Sequence, residues 1–95
     1  YVGDVSDGVL RLIEHTANGI FHICGDECMT IAEIAYQVAD YMKLDRSLIH
    51  PATTEKMNES TPRPRFSGMS IDKARTMLGY RPQKLKEILA NWDKL

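Results

Sequence analysis

The chain has 95 residues, a mass of 10.8 kDa, a formal net charge of −1, 43% hydrophobic and 26% charged residues. That is room for one small domain, with only about 60 to 65% of the unfolded chain's surface buried on folding, so a large self-contained enzyme is excluded. The charge balance gives no case for nucleic acid, and no apolar run approaches the roughly 18 residues that a membrane span requires.

There is no initiating Met and no basic, apolar leader. The expectation is therefore neither a signal peptide nor a natural start, and Tyr1 to Leu10 reads like the middle of a longer protein. Charge is uneven: residues 1–42 hold seven acidic side chains against the single Arg11, and residues 43–95 hold eleven Lys or Arg against six acids. An anion site belongs in the second half. Two cysteines, Cys24 and Cys28, are too few for a disulfide framework, which points to a reducing cytoplasm.

In chain order, Asp4 can cap a helix over about residues 5 to 16, with Val5, Val9, Leu12 and Ile13 on one face and Asn18-Gly19 as its left-handed stop. Ile20 to Cys24 is a β-friendly run without polar alternation, closed by Gly25, and predicts a buried parallel strand. Thr30 and Glu33 form a capping box, with Met29 and Ile34 as a staple. The stripe Ile31, Ile34, Ala35, Val38, Ala39 and Met42 then predicts an amphipathic helix.

Leu44 to Ser47 turns the chain. Leu48 to Pro51 predicts a second short strand, at an edge because of Pro51. Residues 52 to 68 have neither helical nor strand period and predict a long loop. Ser70 caps a helix through Ile71, Ala74, Met77 and Leu78, stopped by Gly79, and after Pro82 a last helix runs through Leu85, Ile88, Leu89 and Trp92. The expected fold is α/β: a small helix-rich lobe of four helices and two short parallel strands.

Within the loop, Ser60-Thr61-Pro62-Arg63-Pro64-Arg65-Phe66-Ser67 places two guanidinium groups two residues apart between prolines and hydroxyls. Such a segment suits a phosphate or carboxylate, because arginine offers a rigid fork of donors and proline lowers the entropy of ordering the loop. The same composition also serves a solvated basic loop or a Pro-rich peptide ligand.

His22, Cys24 and Cys28 form an H-x-C-x3-C cluster whose spacing matches zinc pairs poorly, so core packing is the reading for His22 and Cys24, and no metal site is assigned. Tyr80 and Lys84 formally match the Y-x3-K proton-transfer pair of short-chain reductases, yet Pro82 separates them just after the Gly79 stop. His50 has no assignable partner. Met29, Met42, Met69 and Met77 suit packing positions. G-x-G-x-x-G, the P-loop and H-E-x-x-H are absent from the sequence.

Taken together, the fragments resemble the C-terminal portion of dTDP-4-dehydrorhamnose reductases, in the extended short-chain dehydrogenase/reductase superfamily. Tyr1-Val2-Gly3-Asp4-Val5 is similar to Y-V-x-D-V/L, and Gly19 to Gly25 to G-I-Y/F-H-x-S-G, with Cys24 in place of the usual Ser. Thr30 to Ala35 resembles S/T-x-x-E-x-A, with Ile31 and Ile34 where aromatic residues are common. Arg63 to Met69 resembles R-P-x-x-S-x-L, and Lys73 with Leu78 to Pro82 resembles K-x4-L-G-x-x-P. Ser70 stands where Asp is usual, and Phe66 where Asn or Asp is common before the serine.

The resemblance implies that residues 1–95 are one C-terminal substrate-binding domain of a larger reductase. The Rossmann half, which holds the cofactor, lies upstream and is not in this chain. It implies a dTDP-sugar as ligand, with NADPH or NADH in the parent reducing the C4 ketone of dTDP-4-dehydro-L-rhamnose and an upstream tyrosine supplying the proton. Arg63, and with it Arg65, would face the nucleotide diphosphate. No catalytic or cofactor-binding residue is expected in this chain, which would be inactive alone.

Two alternatives remain: the matching lobe of a non-catalytic relative, the regulatory β subunit of methionine adenosyltransferase, and an independent small interaction domain. A lobe parted from its Rossmann half would also expose an apolar surface through which two copies could pair, the helix over 5 to 16 included.

Overall fold

In the computed structural model, which describes residues 1–94, the elements are α1 (Val2–Glu14), α2 (Ile31–Tyr41), a 3₁₀ turn (Arg46–Leu48), α3 (Asp72–Leu78), α4 (Leu85–Ala90) and a closing 3₁₀ turn (Trp92–Lys94). They belong to two compact units. One comprises residues 1–28 with the chain from Gly68 onward, and the other residues 29–67.

In the first unit α1 begins before the expected cap. Tyr1 is its N-cap, and the Tyr1 carbonyl accepts from the Asp4 and Val5 N–H groups. Asp4 lies in the first turn instead, where its carboxylate accepts from the backbone N–H (3.0 Å) and the side-chain amide (3.3 Å) of Gln83. The helix also stops earlier than Asn18-Gly19. Thr16 takes the left-handed conformation (φ 46°), Thr16 N–H donates to Ile13 O and Ala17 N–H to Leu12 O. This is a Schellman-type end, and its usual apolar clasp is present because Leu12 and Ala17 both pack on the core.

That core is Ile71, Ala74, Leu78 and Tyr80, all buried, with Leu12, Ala17, Phe21, Ile23 and Cys24 packed around them. It lies where α3 and the turn after it meet α1 and the segment 20–24. Gly8 is buried on α1, and a Cβ there would stand 2.7 Å from Ile23 Cγ2. Only glycine lets the helix approach that closely.

The α/β expectation is corrected: no residue described is in a β-strand. In Ile20 to Cys24, Phe21, Ile23 and Cys24 pack against the core, while Ile20 is 81% exposed and His22 is exposed too. The segment therefore covers the core with one side only, and side chains replace a ladder partner. Lys73 Nζ donates to Ile20 O (3.0 Å) and Tyr80 Oη to Cys24 O (3.1 Å).

The second expected strand, Leu48 to Pro51, begins inside the 3₁₀ turn. There Asp45 Oδ1 accepts from Ser47 N–H (2.9 Å), a local side-chain bond that competes with strand pairing. A β-friendly run without a ladder partner does not make a strand.

Four α-helices are present among the described residues. Gly79 closes α3 in the left-handed conformation (φ 65°), and Ser70 Oγ accepts from Asp72 N–H (3.3 Å) one residue before the helix cap, Ile71. The last helix is shorter than expected: α4 ends at Ala90, and Trp92 falls in the closing 3₁₀ turn, half exposed.

In the second unit the capping box forms as read. Thr30 Oγ1 accepts from Glu33 N–H (3.1 Å) and Glu33 Oε2 from Thr30 N–H (2.6 Å). The apolar stripe of α2 is only partly covered, since Ala39 is buried but Ile31 is 86% exposed. Arg46 stacks over the Tyr36 ring at 4.6 Å and pairs with Asp40 at 3.4 Å, tying the 3₁₀ turn to α2.

Candidate functional site

The sequence places its candidate ligands, Arg63 and Arg65, on the loop of the second unit. Residues 50–70 are exposed throughout. The loop opens with one turn, in which Met57 N–H donates to Thr53 O and Lys56 N–H to Thr53 Oγ1, and Asn58 ends the turn at φ 53°. Beyond it the chain has no repeating structure through Ser70, as its proline content dictates.

Arg63 Nε stands 3.2 Å from Glu59 Oε2, with 71% of the arginine side chain exposed and 37% of the glutamate's. Arg65 forms no ion pair among the described residues. The loop thus presents two guanidinium groups to solvent, one lightly held and one free, an arrangement that can take an anion of more than one charge.

A second polar cluster, in the first unit, was not foreseen from the sequence. Asp26 Oδ1 accepts from Lys84 Nζ (2.7 Å) and Asp26 Oδ2 pairs with Arg75 Nη2 (3.2 Å), while Arg75 Nη1 also reaches Asp72 (3.4 Å). Next to it, Glu27 Oε2 accepts from Leu85 N–H (2.7 Å), and Glu87 Oε2 from Lys84 N–H (2.7 Å). Carboxylates from two parts of the chain thereby cap the start of α4.

The hydrogen bond from Lys84, with the charges of Lys84 and Arg75, holds the Asp26 carboxyl below the usual carboxylate range, and the same bond raises the Lys84 ammonium. These charges satisfy one another, so the cluster is a fastener rather than a place for a ligand. The available signal was the acidic Asp26-Glu27 pair in an acidic half and its cations in the basic half; contacts across 49 and 58 residues are not readable from spacing.

The remaining sequence candidates part company. Tyr80 and Lys84 do not act together: Tyr80 is fully buried with its hydroxyl on Cys24 O, and Lys84 is turned to Asp26. Burial, and after it the charge of Asp4, raises the Tyr80 phenol, the opposite of what a proton-transferring tyrosine requires. Cys24 packs on the core, but His22 is exposed, which corrects its core placement. Cys28 is exposed, and both cysteines are free. Among the described residues no group of three or more His, Cys, Asp or Glu could hold a metal ion. His50 is exposed. No helix among the described residues is long and apolar enough to cross a membrane.

Comparison with known proteins supplies the context for the loop. UDP-glucuronic acid decarboxylase 3 of Arabidopsis thaliana is 37% identical over 89 residues, covering 92% of this chain and 24% of the relative. UDP-glucuronic acid decarboxylase 5 of the same plant matches over the same shares at 37%. The spore coat polysaccharide biosynthesis protein SpsK of Bacillus subtilis (strain 168) is 28% identical over 92 residues, 97% of this chain and 31% of SpsK. The chain thus spans only 24 to 31% of the length of these relatives. No solved structure matches it significantly. The RmlD substrate binding domain model, however, matches residues 1–93, from α1 into the closing 3₁₀ turn, and the chain belongs to that family.

Proposed function

We infer that this chain is the substrate-binding lobe of a sugar-nucleotide-modifying enzyme, in which the loop around Arg63 and Arg65 takes the diphosphate of the ligand. The observation that carries this reading is the RmlD substrate binding domain match across residues 1–93, which includes the exposed arginine loop. In its finer form the parent is an NAD(P)-dependent reductase of the dTDP-4-dehydrorhamnose kind, acting in the cytoplasm. A bound nicotinamide would supply hydride for the C4 ketone, and the residues for that cofactor lie outside this chain, which has no glycine-rich dinucleotide turn. The lobe contributes binding and orientation: its guanidinium groups meet two phosphate charges and fix the sugar's position relative to the cofactor half.

A second reading has its own support. Two relatives at 37% identity are named UDP-glucuronic acid decarboxylases, so a UDP-sugar competes with a dTDP-sugar as the ligand.

Titrating the 95-residue chain with dTDP-rhamnose and, separately, UDP-glucuronic acid, observed by NMR on the amides of residues 60–68, tests both readings. Saturable shifts in that loop are expected, and Arg63→Ala should weaken binding by about 1.5 to 3 kcal/mol, the scale of a charge-assisted hydrogen bond. Preference for one nucleotide sugar chooses between the readings. An Arg63→Ala affinity equal to wild type removes Arg63 from the site.

A further inference from the structure

We propose that Glu59 is a built-in competitor for the ligand's diphosphate: an intrachain carboxylate that occupies the Arg63 guanidinium until a nucleoside diphosphate displaces it. This rests on the reading that Arg63 meets a diphosphate, and adds a selectivity element to that subsite.

Glu59 Oε2 stands 3.2 Å from Arg63 Nε. A spacing of four residues is ordinary for an ion pair on a helix, but residues 59–63 are not helical. The pair has another cause. Asn58, at φ 53°, ends the preceding turn and redirects the chain at Glu59. Pro62 and Pro64 flank Arg63 and bias Thr61 and Arg63 away from helical backbone. A stiff backbone therefore presents Arg63 to a carboxylate in the same loop, and only side-chain rotation is needed to part them.

The pair is built to be broken. Arg63 is 71% exposed and Glu59 37% exposed, so the attraction is screened by solvent and worth little. A single carboxylate competes poorly with a diphosphate, which brings two or more charges and engages the guanidinium fork and Arg65 together. A singly charged anion, in contrast, gains nothing over Glu59. The competitor thus discriminates against carboxylates and monoanions, at the cost of some affinity for the true ligand.

The experiment is a dTDP titration by NMR of four chains: wild type, Glu59→Gln, Arg63→Ala and the double variant. The Arg63 Nε–H signal is followed first without ligand. Both side chains are on the exposed loop, so the fold is undisturbed by either change. Glu59→Gln keeps size and hydrogen bonding but removes the charge. It should bind dTDP about two- to fivefold tighter, shift the ligand-free Nε–H signal, and lose its gain in the double variant.

Unchanged or weaker binding by Glu59→Gln, while Arg63→Ala still loses affinity, overturns the competitor and leaves the diphosphate subsite standing. If none of the four chains binds dTDP, the subsite itself falls and the competitor with it, even where the Nε–H signal moves.

Discussion

The two units of this small chain are held by different kinds of contact. In the unit formed by residues 1–28 and the chain from Gly68 onward, hydrogen bonds join residues far apart: Arg11 Nη1 to Leu78 O (3.0 Å), Tyr80 Oη to Cys24 O, Lys73 Nζ to Ile20 O, and Gln83 to Asp4. In residues 29–67 the side-chain hydrogen bonds and ion pairs are local, none spanning more than eight residues, and Ala39 alone is a buried apolar residue. The arginine loop lies in the locally held unit. Stability and the proposed ligand contact are thus separated along the chain, a division expected when a loop must adapt to a ligand that the scaffold need not touch.

The largest test of that contrast is Leu78→Ala, which empties a fully buried site and should cost about 2 to 5 kcal/mol, set beside Leu48→Ala on the exposed 3₁₀ turn, which should stay within about 0.5 kcal/mol. Urea denaturation followed by circular dichroism measures both, and equal costs would erase the distinction. Gly8→Ala comes next. The new methyl must displace Ile23, whose branched side chain yields poorly, and the gain in helix propensity recovers only part of that, leaving a net loss of about 1 kcal/mol. A stabilised Gly8→Ala chain would mean that α1 and the 20–24 segment can separate freely.

Asp26→Asn sharpens the account of the ionic fastener. Its partners are about half exposed, so after allowance for solvent screening the loss should be about 0.5 to 1 kcal/mol at neutral pH and smaller at high salt. The carboxyl's folded value is lowered, so its contribution is present above the ordinary carboxylate range and is lost as pH falls through the folded value. Wild type and variant should therefore converge in acid, and a gap that persists there would locate the effect in packing rather than charge.

The smallest effects compare the two helix ends. Thr16 and Lys43 both hold left-handed backbone, at φ 46° and 56°. Thr16→Gly should gain about 0.5 to 1 kcal/mol and Lys43→Gly less, because a β-branched side chain tolerates that region worst. Thermal melts of the two variants rank them; the reverse order would show that Thr16 is not strained.

Part of this was legible in the residues themselves. Thr30 and Glu33 announced the start of α2, Gly79 the end of α3, and the proline-broken, period-free stretch from Ala52 to Gly68 its long loop. Each depends on neighbours within a few residues, where spacing and geometry are nearly the same thing. The run Ile20 to Cys24 misled because β preference describes a fit to a pleated surface, which here has no partner. The start of α1 misled because Asp4, a good cap by type, is drawn into the first turn by Gln83, 79 residues away. The exposure of Arg63 and Arg65 follows from their loop, but the carboxylate beside Arg63 became visible only in three dimensions.

By itself, then, the amino-acid order determined where helices can begin and end, which stretch cannot be regular, and that the cations collect in the second half. Those follow from backbone sterics, capping and periodicity, all short-range. Tertiary structure alone decided that the 20–24 run lies as a one-sided cover instead of a strand, that Tyr80 is a buried post and not a proton donor, and that Asp26 and Glu27 fasten α4. Each turns on which distant group arrives to satisfy a carbonyl, a phenol or a carboxylate, and pairing at that range is set by the packing of the whole core.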